Sequence, residues 1–316
     1  MFGVKELFNA TKYPEFSWSL SRHKTFLDCQ RKYAYNYYIS HNGWKQDAVK
    51  ISRDAFRLKK ITNLEMLFGN IVHEIISNVI QQYLKTNYIP SEEELNQRIR
   101  NTLNTAFIDS VKRKELWFAK PNYYTMLHEI YYNGSLPEEK VHDIQERLDV
   151  CINNFYSSKT FTDIAHKKQM KFIESERFRY MTLNGIKVII VMDFVYRDIE
   201  NGKWIIVDWK TGKESFEDRN QLALYAMYLQ QAFKVKDLSE IEIRNEYLLT
   251  GTNRSYHLNE EDLQRLKEMF GLSIQSMLNF IEDPQNNKPV DLEHFEKTEY
   301  EKKCDRCNFK ELCEMY

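Results

Sequence analysis

Between residues 171 and 212 the chain changes its period. "KFIESERFRYMTL" runs into the turn "NG", then come "IKVIIVMDFVYRDI", a second turn "ENG", and "KWIIVDWKTG". Runs of β-branched and aromatic residues closed by Asn-Gly pairs are strand and hairpin signals, so this stretch predicts a meander of three antiparallel strands. A helix, "FEDRNQLALYAMYLQQAF", another strand, "EIRNEYLLTG", and a long helix from about Glu260 to Phe280 follow. Upstream, from Ser17 to about Leu84, the pattern is helical. Ser19 or Ser21 can cap "RHKTFLDCQRKYAYNYYI", and Gly69 precedes "NIVHEIISNVIQQYL", whose apolar residues recur three and four apart. Residues 90–168 add helical stretches rich in Tyr and Trp, broken at Pro121, "NGS" and Pro137, and read as a helical insertion. There are no internal repeats and no low-complexity linker. The expected class is mixed α/β.

Composition excludes several alternatives. With 42% hydrophobic and 29% charged residues the chain can bury a core, so disorder is not expected. The start, "MFGVKELFNATKYPEF", lacks the layout of a signal peptide, and the longest apolar run, "VIIVM", is far short of the ~20 residues that span a bilayer. The expectation is a cytoplasmic protein without membrane contact. A net charge of -1 argues against a global polyanion binder, while "SRHK", "QRKY", "RLKK", "KRK" and "HKKQMK" are local basic patches that suit a groove. Of five cysteines, three (Cys304, Cys307, Cys313) fall within the last thirteen residues. In a reducing compartment such a cluster reads as metal ligands or redox groups before it reads as disulfides.

The strand region carries the candidate chemistry. Asp208 and Lys210 in "IIVDWKTG" are two apart, so on a strand they project from one face while Trp209 projects from the other. Asp193 interrupts "VIIVMDFVY", where burying a carboxylate is costly unless something positive meets it. Two acids and a lysine converging from adjacent strands suit Mg²⁺ or Mn²⁺, and the compact ammonium of a lysine suits a hydroxide beside a phosphate. An isolated Asp-x-Lys is more often just a strand-end ion pair. His73, three residues before Ile76 and seven before Ile80, is expected on the apolar face of its helix, where a lone histidine is usually a hydrogen-bonded core residue. Gln221 and Tyr225 share a helix face at a spacing of four.

Taken in order, Gly69-x3-His73, Asp193, "VDWKTG" with Asp208 and Lys210, and Gln221-x3-Tyr225 resemble the RecB-like branch of the PD-(D/E)xK nuclease superfamily. The resemblance implies one nuclease domain over 1–316 with a restriction-endonuclease-like core: helix, three-strand meander, helix, strand. It also implies a metal-dependent phosphodiesterase in which His73, Asp193, Asp208 and the Trp209 carbonyl hold Mg²⁺ or Mn²⁺. Lys210 then stabilises the developing charge, and Gln221 and Tyr225 support the site. Iron-sulphur members of this branch, such as the AddB nuclease domain and the CRISPR-associated adaptation nucleases, join an upstream cysteine to a C-terminal C-x2-C-x5-C. That spacing is met by Cys304, Cys307 and Cys313, and Cys29 in "SRHKTFLDCQRKY" is the matching upstream position, although Gln30 stands where proline is usual. The implied cofactor is a [4Fe-4S] cluster that clips the C-terminal tail to the N-terminal helix; Zn²⁺ on the same four cysteines is the alternative. Cys151 is left over and reads as a small buried hydrophobe.

The substrate expected on this resemblance is DNA, single-stranded or with free ends, cut as an exonuclease in repair and recombination, CRISPR adaptation, or a phage or defence setting. Trp117, Tyr123, Tyr124, Arg31 and Lys32 are candidates to stack bases or track phosphates, although helix packing explains most such aromatics equally well. With no G-x4-GK[ST] on the chain, unwinding would need a helicase partner; an integrase is the other candidate partner. Two rival readings remain: a non-catalytic DNA-end-binding or scaffold subunit of a helicase-nuclease complex, and a zinc-ribbon-like regulator that would leave the strand acids unexplained.

Overall fold

The computed structural model describes residues 11–166, 170–174, 177–213 and 218–316. The basic run at 166–171 and the expected helix start at 216 therefore lie partly outside the described residues. The chain divides into two compact units, one formed by residues up to Ile61 together with Leu272–Tyr316, the other by Thr62–Gly271.

The first unit begins with helices α1 (Leu20–Asp28) and α2 (Gln30–Ala34), the latter continued by a π-helical turn at Tyr35–Ile39, and then α3 (Lys50–Leu58). Ser19 caps α1 as expected, its side chain accepting from the Arg22 N–H and satisfying one of the four open donors of the first turn. Cys29 forms the junction between α1 and α2, and its sulphur caps α2 by accepting from Lys32 N.

In the second unit α4 (Leu64–Thr86) starts on Asn63, whose side chain accepts from Met66 N, and ends at Asn87 in the left-handed region. The residues expected as an insertion form α5 (Glu92–Lys112), α6 (Lys114–Ala119), α7 (His128–Asn133), α8 (Glu138–Tyr156) and α9 (Lys159–His166). A full capping box, Ser91 with Glu94, starts α5. These helices share one core with α4: Ile76, Ile80, Ile99, Leu148 and Phe155 pack in the same cluster as Phe194, Val207 and Trp209 from the strands. Each such side chain contributes about 1.5–3 kcal/mol by leaving water. Cys151 is wholly buried in that cluster, and burial pushes its thiol up to about 12, so it behaves as the small hydrophobe expected.

The strands that position the site are β1 (Met170–Glu174), β2 (Arg177–Leu183), β3 (Ile186–Met192), β4 (Phe194–Asp198) and β5 (Lys203–Lys210), followed by α10 (Asp218–Phe233), β6 (Ile241–Tyr247) and β7 (Thr252–Tyr256). The main sheet has the order β7-β6-β5-β4-β1. Only β5 and β6 run parallel within it, joined by the α10 crossover that a parallel pair requires. β2 and β3 form a hairpin whose turn, Asn184-Gly185, has positive φ at both positions, as the Asn-Gly signal predicts.

The expected three long strands are thus shorter pieces. "KFIESERFRYMTL" supplies β1, which pairs with β4, and β2, which pairs with β3. "IKVIIVMDFVYRDI" is divided at Asp193, and the cause lies on the neighbouring strand β5. The Trp209 N–H, which an unbroken neighbouring strand would meet with a backbone carbonyl, donates instead to Asp193 Oδ2 at 2.8 Å.

After β7 comes α11 (Glu260–Leu278), and the tail carries α12 (Glu301–Cys304) and α13 (Lys310–Met315). Within the first unit the tail packs on the N-terminal helices. Tyr35 stacks on Phe309 at 5.5 Å between centroids and its hydroxyl donates to Leu312 O at 3.2 Å, while Asn308 Nδ2 donates to Ile61 O at 2.7 Å. Arg31 is buried, its Nε donating to Phe295 O at 2.9 Å, so it serves the fold and is withdrawn from the candidate phosphate contacts. Trp117 is likewise fully buried beside Phe118 and Tyr131, which removes it as a base-stacking residue, whereas Tyr123 stands 82% exposed. No described helix is long and apolar enough to cross a membrane.

Candidate active site

Alternation along β5 sends Trp209 into the core, edge-to-face with Phe155, and leaves Asp208 and Lys210 together on the other face. Asp208 is 2% exposed. Lys210 Nζ lies 2.6 Å from Asp208 Oδ2, an ion pair at hydrogen-bonding distance. Asp208 Oδ1 accepts from Gln221 Nε2 at 3.2 Å. Gln221 also donates to the Tyr225 hydroxyl, which itself donates to Val191 O at 2.8 Å. The two α10 residues read from their spacing are therefore brought to Asp208, with Tyr225 anchored to the end of β3.

Asp193 occupies the break between β3 and β4, its Oδ2 held by Trp209 N and lying 3.4 Å from His73 Nδ1. A residue's N–H and C=O leave a strand on the same side, so the Trp209 carbonyl is directed toward Asp193 as well. His73 differs from expectation: its side chain is 25% exposed, placed at the rim of the α4 apolar stripe beside Asp193 and not within the stripe. Gly69, one turn earlier, explains the approach of α4, since a Cβ there would meet Thr211 Oγ1 at 3.2 Å. A side chain at this position would press the helix away from the "VDWKTG" loop.

Burial is the largest influence on Asp208, followed by the negative charge of Asp193; together they outweigh Lys210 and His73 and raise the carboxyl to about 7. A fully buried acid that feels the charge of a second acid forms a site that a cation would relieve. Among the described residues, no group of three or more His, Cys, Asp or Glu side chains is drawn together closely enough to hold a metal as it stands. Asp208 is closed on Lys210 and Asp193 on Trp209 N. The donor types nevertheless fit a hard divalent cation: two carboxylates, an imidazole and a carbonyl directed to their side.

Two neighbours escaped the sequence reading. The parallel register sets Asn245 beside Asp208 and Tyr247 beside Lys210, and in-register neighbours share a face. Asn245 is completely buried, donating from Nδ2 to the Tyr247 hydroxyl at 3.2 Å. The only signal was their spacing of two on a strand parallel to "VDWK", and a lone asparagine has no chemistry to single it out.

Cys29, Cys304, Cys307 and Cys313 line one cavity of about 740 Å³ in the first unit, with Lys32, Lys297, Lys303 and Arg306 among the surrounding cations. Burial raises the thiols of Cys307 and Cys313, and each is raised further by the charge of Cys29. Four thiols around one space, in a basic setting that would offset their charge as thiolates, fit a tetrathiolate centre in donor chemistry.

The geometry is that of an acid and a lysine on β5 with a second acid in the β3–β4 break, supported from α10. The family model of the PD-(D/E)XK nuclease superfamily matches residues 17–314. The chain belongs to the PD-(D/E)XK nuclease superfamily. No curated protein matches it.

Proposed function

We propose that the protein is a divalent-metal-dependent deoxyribonuclease, an exonuclease acting on single-stranded DNA or DNA ends. One observation carries this reading: Asp208 and Lys210 face the same side of β5, with Asp193 and His73 at its edge, so that no member of the acid, acid, lysine set is missing. A non-catalytic scaffold would have no use for a buried acid held beside a second acid at this cost.

His73, Asp193, Asp208 and the Trp209 carbonyl would hold Mg²⁺ or Mn²⁺, which when bound supplies polarisation of the scissile phosphate and a lowered pKa for its water. Lys210 stabilises the negative charge that builds on the phosphorane oxygens, a role suited to a compact ammonium held at a fixed distance from Asp208. Gln221 fixes the orientation of Asp208 through Oδ1, and Tyr225 fixes Gln221 by tying it to Val191 O. In the first unit Cys29, Cys304, Cys307 and Cys313 would hold a [4Fe-4S] cluster, with Zn²⁺ the alternative occupant. Such a centre would add a clip between the tail and the N-terminal helices to the contacts already there. The setting is repair or recombination, or defence including CRISPR adaptation, with a helicase or integrase as partner.

The test is anaerobic purification, a visible spectrum, and incubation with end-labelled single- and double-stranded DNA with and without Mn²⁺. Metal-dependent shortening of the single strand is expected, with absorption near the iron-sulphur range. Absence of cleavage with both Mg²⁺ and Mn²⁺ overturns the nuclease; a colourless protein with stoichiometric zinc replaces the cluster and leaves the nuclease standing.

A further inference from the structure

The β2–β3 hairpin has two unlike faces. Met181, Val188, Ile190 and Met192 are buried on one, whereas Phe178 and Tyr180, two apart and so on the other, are 81% and 67% exposed. A single exposed aromatic is unremarkable; two in one row on a strand form a patch. Lys187 pairs with Thr182 in the hairpin register, which puts it on the same face, and its Nζ lies 5.1 Å from the Tyr180 ring centroid. The ribbon is held firmly, because the Gln231 amide on α10 bonds both the carbonyl and the N–H of Thr182, at 3.1 and 3.3 Å.

The hairpin is tied to the candidate active site by a chain of hydrogen bonds. Phe178 pairs across the hairpin with Val191, two residues before Asp193. The Val191 carbonyl accepts from Tyr225, to which Gln221 donates, and Gln221 donates in turn to Asp208.

We propose that this open face is a stacking platform for single-stranded DNA, in which Phe178 and Tyr180 each take a base and Lys187 accompanies the backbone toward Asp193 and Asp208. The proposal rests on the nuclease reading and names the residues that select its substrate. Two positions along a strand are about 7 Å apart, twice the ~3.4 Å rise between stacked base pairs in duplex DNA. Neighbouring bases can reach both rings only when unstacked, which an extended single strand permits and a duplex does not. Because every base has a π-face, such a platform tolerates any sequence.

The full-length protein and its Phe178→Ala, Tyr180→Ala and Tyr180→Phe variants are to be compared in two assays. The first is fluorescence anisotropy with labelled oligo-dT in Ca²⁺, and the second is Mn²⁺-dependent hydrolysis of methyl p-nitrophenyl phosphate, which has no base to stack. Each alanine variant is expected to weaken oligo-dT binding roughly 5- to 150-fold, the range measured for base-aromatic stacking. Tyr180→Phe should bind like wild type, and hydrolysis of the small diester should be unchanged in all three. Wild-type affinity in both alanine variants overturns the platform, as does a wild type that prefers duplex to oligo-dT. Failure of the nuclease reading shows separately, as wild type that hydrolyses no diester while the anisotropy still reports on the rings.

Discussion

Asp208 is the residue at which the fold and the proposed chemistry conflict most openly. Burial and Asp193 raise its carboxyl to about 7, well above the ~3.9 of an unfolded chain. A raised folded pKa means that between about pH 4 and pH 7 the folded protein keeps a proton the unfolded chain has released. Its contribution to stability is therefore fullest at low pH and declines as pH rises toward 7. A metal must displace that proton, so Mn²⁺ affinity should climb by up to about tenfold per pH unit below 7 and flatten above it. Calorimetric titrations of the metal at pH 6, 7 and 8 check this, and an affinity that does not change between pH 6 and 7 would refute the assignment of Asp208 as a ligand. The residue scale is also where sequence reading was most productive. Asp208 with Lys210, and Gln221 with Tyr225, share a face as their spacing predicts, because both partners in each pair lie on one element, while their candidacy as a site came from the family resemblance.

At the scale of elements, what could be read depended on distance along the chain. The Asn-Gly turn, the Ser19 cap and the helix after "VDWKTG" are local, and all appear. The break at Asp193 was not legible, because it depends on Trp209 N arriving from another strand. Nor was Arg244, which in "EIRNEY" looks like the polar position of an ordinary strand. It is 1% exposed and bonds Glu242 at 2.7 Å and Asp163 at 3.0 Å, the latter 81 residues upstream. Burial alone would raise Glu242, but the Arg244 guanidinium overrides it and brings the carboxyl down to about 2. Arg244→Ala should cost about 3–5 kcal/mol by leaving those acids unpaired, measured by urea unfolding. Gly69 gives a second element-scale prediction. Gly69→Ala should slow metal-dependent cleavage by pushing α4 from Thr211, and adding Thr211→Ala should restore the rate, since that removes the Oγ1 which a Cβ would meet. A double variant as slow as the single one would mean the glycine acts otherwise.

For the whole molecule, residues nearly three hundred positions apart meet in one unit: Cys29 with Cys304, Cys307 and Cys313 around a common cavity. Spacing in the tail and a matching upstream cysteine anticipated this neighbourhood; the identity of the occupant is chemistry that spacing does not encode. If a metal centre fills the cavity, Cys304→Ala should abolish the visible absorption and lower the Tm by at least about 2 °C, since each kcal/mol lost from a chain of this size moves the Tm by about 1–2 °C. An unchanged melting curve would mean that the Tyr35, Arg31 and Asn308 contacts hold the tail unaided.

The central claim is that Asp208 and Lys210 perform metal-dependent phosphodiester hydrolysis, and it is tested most directly by end-labelled single-stranded DNA with Mn²⁺, comparing wild type with Asp208→Asn and Lys210→Ala. Both variants are predicted to melt no lower than wild type in the absence of metal by more than a few degrees, and to leave the DNA intact while wild type degrades it. Degradation at the wild-type rate by either variant would contradict the account.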